Sequence, residues 1–183
     1  MQALATALDG WLTKPFAFYG HSMGALVSFE LARELRRRGA PPPRHLFVAA
    51  RRAPHLPASE PLHGLPEGEF LAWLRRIGGT PEEVLRDPEL LGLFMPVLRA
   101  DVAVNEAEPF VAGAPLDCPI SALGGVDDER AAPADLEAWG QHTRGPCRVE
   151  IFPGGHFFLR TAREPLLRSI SATLDGIERA LPA

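Results

Sequence analysis

Apolar residues at Leu4, Leu8, Trp11 and Leu12 recur at helical spacing. They predict a helix over Ala3 to Leu12 with one apolar stripe, closed off by Pro15. Phe16-Ala17-Phe18-Tyr19 is a short unbroken apolar run. Such a run predicts a strand buried on both faces of a parallel sheet. From about Met23 to Arg38 the period returns to that of a helix, with Leu26, Val27, Phe29, Leu31 and Ala32 inward. Arg36, Arg37 and Arg38 crowd its last turn, where positive charge suits the helix dipole, and Gly39 is placed to end it. His45 to Ala50 reads as the next buried strand.

The middle of the chain carries only helical periodicity. Phe70, Trp73, Leu74 and Ile77 share one face. Thr80-Pro81-Glu82-Glu83 has the form of an N-cap, a proline at the first helical position and a capping-box glutamate. Asp87-Pro88-Glu89 opens another helix, and its apolar residues, Leu90, Leu91, Leu93, Phe94, Met95, Val97 and Leu98, run nearly all round it. The alternation of strand and helix then resumes. A strand over Pro119 to Leu123 ends at Gly124-Gly125, a helix covers Leu136 to His142, a strand covers Cys147 to Phe152, and an amphipathic helix covers Glu164 to Leu181. Strand and helix alternating on both sides of a helical stretch predict an α/β fold, a mostly parallel sheet flanked by helices, with a helical insertion at about 65–108.

Composition narrows this picture. With 183 residues, 46% of them apolar, and a net charge of −4, the chain suits one globular domain, 1–183. That charge argues against nucleic acid as a partner. No apolar run reaches membrane-spanning length, and Met1-Gln-Ala-Leu lacks the basic start of a signal peptide, so a cytoplasmic protein is expected. Cys118 and Cys147 lack metal-like spacing and read as two buried thiols, and no metal site is expected.

The chemistry centres on Gly20-His21-Ser22-Met23-Gly24, between a predicted strand and a predicted helix. A serine at such a turn takes a strained backbone conformation at the tip of a nucleophile elbow. Tiny residues are expected two before and two after it, because the turn presses them against backbone. The helix N-terminus behind Ser22 favours a developing oxyanion, with the Met23 backbone N–H as one donor. A general base belongs later in the chain. His156, in Pro153-Gly154-Gly155-His156-Phe157-Phe158 after the last strand, is best placed to take the Ser22 proton. His21 is expected to point away from the nucleophile and to be structural. His45, His55, His63 and His142 are expected at solvated surface. The acid that orients His156 belongs in Gly124-Gly125-Val126-Asp127-Asp128-Glu129, where two adjacent carboxylates offer themselves. Asp128 is preferred over Asp127, because the spacing from Gly125 to Asp128 and on to Ala131, Ala132 and Pro133 matches the usual loop. Asp127 would then cap the loop.

Several stretches together resemble type II thioesterases, the discrete editing enzymes of polyketide and nonribosomal peptide assembly lines. They are Phe18-Tyr19-Gly20-His21-Ser22-Met23-Gly24-Ala25, Phe47-Val48-Ala49-Ala50-Arg51-Arg52-Ala53-Pro54, Gly78-Gly79-Thr80-Pro81-Glu82, Leu98-Arg99-Ala100-Asp101 and the His156 loop. The resemblance implies an α/β-hydrolase fold whose insertion at 65–108 is a lid. It implies a Ser22, Asp128 and His156 triad that hydrolyses acyl groups from the phosphopantetheine of an acyl or peptidyl carrier protein. It implies no further cofactor, and a monomer is expected. Arg51 and Arg52 are read either as contacts for an acidic carrier or as ordinary structural residues. Family members have further strands ahead of the elbow helix, including a glycine loop that donates the second oxyanion N–H, so the chain is expected to lack N-terminal strands. Two other functions are weighed: an oxygen-ester esterase or lipase, and a catalytically impaired fragment that only binds a carrier.

Overall fold

The computed structural model describes residues 1–56, 62–107 and 110–180. In chain order the elements are α1 (Gln2–Leu8), β1 (Phe18–His21), α2 (Met23–Arg37), β2 (Leu46–Ala49), α3 (Glu67–Ile77), α4 (Glu82–Arg86) and α5 (Pro88–Ala107). They continue with β3 (Ile120–Gly125), α6 (Pro133–Glu137), a 3-10 turn (Ala138–His142), β4 (Cys147–Phe152), α7 (Phe158–Thr161) and α8 (Arg163–Arg179). The chain divides into two compact units, one built from Met1–Pro54 and Gly113–Ala183, the other from His55–Ala112.

The first unit holds a four-stranded, wholly parallel sheet in the order β1-β2-β3-β4. The central strands β2 and β3 are buried along their whole length. This is why they read as continuous apolar runs. Leu46, Phe47, Val48, Ile120 and Leu123 are almost wholly enclosed. Each large side chain of this kind contributes about 1.5–3 kcal/mol by leaving water. A cluster of Phe47, Ala49, Leu123, Phe152, Phe158, Ala162 and Leu166 joins the sheet to the α7–α8 region.

Helix α2 ends as its sequence predicts. Gly39 has φ of 69°, its N–H donates to the Arg36 carbonyl at 3.0 Å, and the Ala40 N–H donates to the Leu35 carbonyl at 3.0 Å. This is a Schellman closure, in which glycine takes the left-handed position. The arginines before it have specific partners: Arg36 donates to the carbonyls of Ala114 and Pro115, and Arg37 and Arg38 to Glu34.

Several expectations need correction. The first helix stops at Leu8, with Asp9-Gly10 following, so Trp11 leaves the predicted stripe and is 81% exposed. The first strand begins two residues late and lies at the sheet's edge among the described residues, leaving Tyr19 at 41% exposure. Its pairing starts where Phe18 meets Leu46, which sets the boundary. The segment 136–142 is mostly a 3-10 turn. Cys118 is buried, whereas Cys147 at the start of β4 is half-buried. Burial also claims two histidines expected at the surface. His45 lies 2.9 Å from the Ser121 hydroxyl, and His142 packs against Phe29 and Trp139.

The second unit is helical among its described residues. Phe70, Trp73, Leu74, Leu85 and Met95 form its core, with Ile77 and Leu98 packed against them. Asp87 caps α5 by accepting from the N–H groups of Glu89 and Leu90. Helix α4, by contrast, starts one residue later than Thr80-Pro81 implied: Pro81 is its N-cap and no side chain caps it. The Arg99 guanidinium lies 4.4 Å from the Phe70 ring centre and donates to the His63 carbonyl, while Glu106 accepts from the N–H groups of Leu62 and His63 and from the His63 ring. Glu108 and Leu181, the ends predicted for the insertion and the last helix, lie outside the described residues. No helix among the described residues is long and apolar enough to cross a membrane.

Candidate active site

In a parallel sheet every strand ends on the same edge, so the residues just past those ends converge. Ser22 follows β1, Asp128 lies three residues past β3, and His156 four past β4.

The turn at Ser22 is sharp. Its φ is 54° and ψ −116°, and it is the N-cap of α2. A serine holds this disfavoured conformation only where its surroundings force it. The Ser22 N–H donates to the Ala49 carbonyl at 2.8 Å, and the Ala25 N–H donates back to the Ser22 carbonyl at 3.0 Å. Gly20 is required for the reason the sequence suggests: a β-carbon there would lie 2.1 Å from the Gly24 carbonyl oxygen. The matching expectation for Gly24 is wrong. Outside its chain neighbours and its own helix backbone, a β-carbon at Gly24 would meet no heavy atom within 4 Å, so it is that residue's backbone, not its lack of a side chain, that the turn uses. Met23 opens α2, and first-turn N–H groups have no acceptor within their own helix.

His156 and Asp128 are both buried. The Ser22 hydroxyl lies 3.1 Å from His156 Nε2, and His156 Nδ1 lies 3.0 and 3.2 Å from the Asp128 carboxylate oxygens. A carboxylate facing Nδ1 calls for a proton there, which leaves Nε2 to accept from the serine. Asp128 is held in turn by the Arg130 N–H, 3.0 Å from Oδ1. Of the two adjacent carboxylates, it is Asp128 that faces His156. The Asp127 side chain is exposed, and its contribution is its backbone N–H, which donates to the Gly154 carbonyl at 3.0 Å.

That bond belongs to a tight contact between the acid and histidine loops. A β-carbon at Gly125 would sit 2.3 Å from the carbonyl oxygens of both Gly154 and Gly155. Gly154 has φ of 111°, and its missing side chain leaves room for the Thr161 hydroxyl. In sequence these glycines mark only the ends of strands and the loops that follow. That they are pressed against one another is visible only in three dimensions. Ala50, with φ of 52°, is a second strained residue at this edge, and nothing in its sequence marks it.

Arg51 and Arg52 follow β2. Burial and the nearby Arg130 and Arg52 charges pull the Arg51 guanidinium down to about 10, still charged at neutral pH. The Arg51 carbonyl accepts from the Trp139 indole at 2.8 Å, and Arg52 donates to Asp135 at 3.2 Å. Arg51 is thus tied into the first unit through its main chain and Arg52 through its side chain.

A family model described as a thioesterase domain matches residues 1–174. The chain is 45% identical over 180 residues to the protein named linear gramicidin dehydrogenase LgrE, from Brevibacillus parabrevis, covering 96% of this chain and 68% of that one. Among solved structures it is similar to RedJ, a thioesterase from the prodiginine biosynthetic pathway in Streptomyces coelicolor. There the TM-score is 0.85 and identity 40%, over 93% of this chain and 65% of RedJ. It is also similar to BorB, a type II thioesterase from the borrelidin biosynthetic cluster, with a TM-score of 0.78 and identity of 38%, over 93% of this chain and 71% of BorB. The chain thus spans about two thirds of the length of the relatives it matches.

Proposed function

The chain belongs to the thioesterase family, and on that premise we propose that it hydrolyses acyl thioesters from the phosphopantetheine arm of an acyl or peptidyl carrier protein in polyketide or nonribosomal peptide biosynthesis. The observation that carries this is the continuous chain of contacts from Ser22 Oγ through His156 to Asp128 at the carboxyl edge of the sheet.

Ser22 Oγ attacks the thioester carbonyl while His156 Nε2 takes its proton. The tetrahedral oxyanion is met by the Met23 backbone N–H. Asp128 stabilises the imidazolium and keeps the ring oriented. The carbon–sulfur bond breaks, and the pantetheine thiol leaves with the proton from His156. A water molecule, deprotonated by His156, then attacks the acyl-serine. The acid departs and Ser22 recovers its proton. A thiol is a fair leaving group, so proton donation matters less here than for an oxygen ester. Enzyme, thioester and water supply every atom, so the cycle calls for no metal or cofactor. In this scheme the helical segment between β2 and β3 is the lid, and the protein works as a monomer in the cytosol beside its carrier.

One relative's name contains the word dehydrogenase. The turn after β1 here reads Gly20-His21-Ser22-Met23-Gly24, without the Gly-x-Gly-x-x-Gly pattern that lets a backbone approach a dinucleotide pyrophosphate.

The test is hydrolysis by the full protein of one acyl group presented as a carrier-bound thioester and as an oxygen ester. Faster release from the carrier is expected. Turnover of the oxygen ester alone would make the protein an esterase, and binding of the carrier without turnover would make it a non-catalytic partner.

A further inference from the structure

His21 shares the elbow with the nucleophile but faces the other way. Its Nε2 lies 2.8 Å from the backbone carbonyl oxygen of His156. The two imidazole rings meet edge to face at 5.1 Å, and the His21 ring also packs against Phe157 at 5.4 Å. A carbonyl oxygen only accepts, so Nε2 must carry the proton. Burial pushes the His21 ring below the usual histidine range. Its bond to the His156 carbonyl and the Asp128 charge oppose that shift, and the Arg160 charge reinforces it. A neutral His21 bonded through Nε2–H places no second cation beside the imidazolium that forms at His156 during acylation.

Gly154 and Gly155 precede the histidine and bring no side chain of their own to hold the loop. Asp127 N–H donates to the Gly154 carbonyl, Phe158 N–H to the Gly155 carbonyl, and the Thr161 hydroxyl to the Pro153 carbonyl at 3.3 Å, so these ties hold the residues on either side of the His156 carbonyl. We propose that His21 is a positioning residue: it pins the main chain of His156 while its neighbour Ser22 addresses the side chain, fixing the distance between nucleophile and base. Adjacent residues on one strand end thus grip the same histidine at two points, Nε2 from Ser22 at 3.1 Å and the carbonyl from His21 at 2.8 Å. The assignment rests on the Ser22, His156 and Asp128 triad. It predicts that removing the donor slows the chemical step and leaves substrate binding alone.

The test compares His21→Gln with His21→Met in the full protein. The glutamine amide nitrogen lies as many bonds from Cβ as imidazole Nε2 and donates, while methionine has a similar shape and volume without a donor. With a short-chain acyl N-acetylcysteamine thioester as substrate, His21→Met is expected to lower kcat about 10- to 100-fold with KM within about twofold, and His21→Gln to stay within about threefold of wild type. Equal kcat for the two variants overturns the proposal, since ring packing alone would then explain His21. A rise in KM without loss of kcat in His21→Met also overturns it. Ser22→Ala, measured alongside, separates the two claims. An inactive Ser22→Ala with a fully active His21→Met refutes only the positioning role, whereas an active Ser22→Ala refutes the triad itself.

Discussion

Adding one methyl group at Gly20 tests the elbow's geometry. In Gly20→Ala the new carbon falls 2.1 Å from the Gly24 carbonyl oxygen, 2.3 Å from its carbon and 2.5 Å from the Ala25 nitrogen. Non-bonded heavy atoms settle at about 3.5 Å, so the contacts must open by about 1.0–1.4 Å. All three atoms are backbone in the first turn of α2, and no side-chain rotation relieves them. The helix start therefore moves, and Ser22 moves with it as N-cap. A displacement of that size takes the Ser22–His156 contact from 3.1 Å out of hydrogen-bond range. Overpacking of this kind costs about 1–3 kcal/mol of stability, and a 1 Å misplacement of reacting groups costs about a hundredfold in rate. Gly24→Ala is the matched control. Its β-carbon meets nothing within 4 Å. Alanine is also the better helix former, so stability should hold or rise by up to about 1 kcal/mol. Urea unfolding and thioester hydrolysis measure both quantities. Equal unfolding midpoints for Gly20→Ala and wild type, or equal damage from the two substitutions, would refute the reasoning.

Asp128→Asn is expected to lower kcat by about four orders of magnitude through loss of the correct His156 tautomer, while Asp127→Asn, which keeps its backbone N–H, stays near wild type; hydrolysis assays on the pair decide. Gly125→Ala drives a carbon to 2.3 Å from two carbonyl oxygens and should part the acid and histidine loops. About 1–3 kcal/mol lower stability together with slower hydrolysis is the expected result. Hydrogen bonds from Arg37 and Arg38 hold the Glu34 carboxyl at about 2, against 4.5 ordinarily. Its pairs are therefore fully present above about pH 4.5 and are lost as the pH falls toward 2. The Tm difference between wild type and Glu34→Gln should be constant above pH 4.5 and close below it, and a difference that grows with acidification would contradict the assignment.

The sequence showed the buried strands most clearly, because β2 and β3 are covered on both faces and read as unbroken apolar runs. The edge strand was harder to place, since pairing with β2 and not hydrophobicity sets its start. At the site, the residue types and their order along the chain pointed to Ser22, Asp128 and His156, and the geometry joins all three. What stayed hidden were relations between segments far apart in sequence. Gly125 against Gly154 and Gly155, and His21 against the His156 carbonyl, link positions whose separation carries no local pattern. Strain at Ala50 was likewise unreadable, because alanine has no preference for that backbone conformation. The buried histidines His45 and His142 were misplaced for a related reason: a polar side chain with a hydroxyl partner or aromatic neighbours looks the same in sequence as a solvated one.

The most direct test of the account is to locate the acyl group during turnover. The full protein is mixed with an acylated carrier, quenched in acid within the first turnovers, digested and mapped by mass spectrometry. The account predicts the acyl mass on the peptide that contains Ser22, with no adduct and no hydrolysis in Ser22→Ala. An acyl group on any other residue, or wild-type turnover by Ser22→Ala, would contradict it.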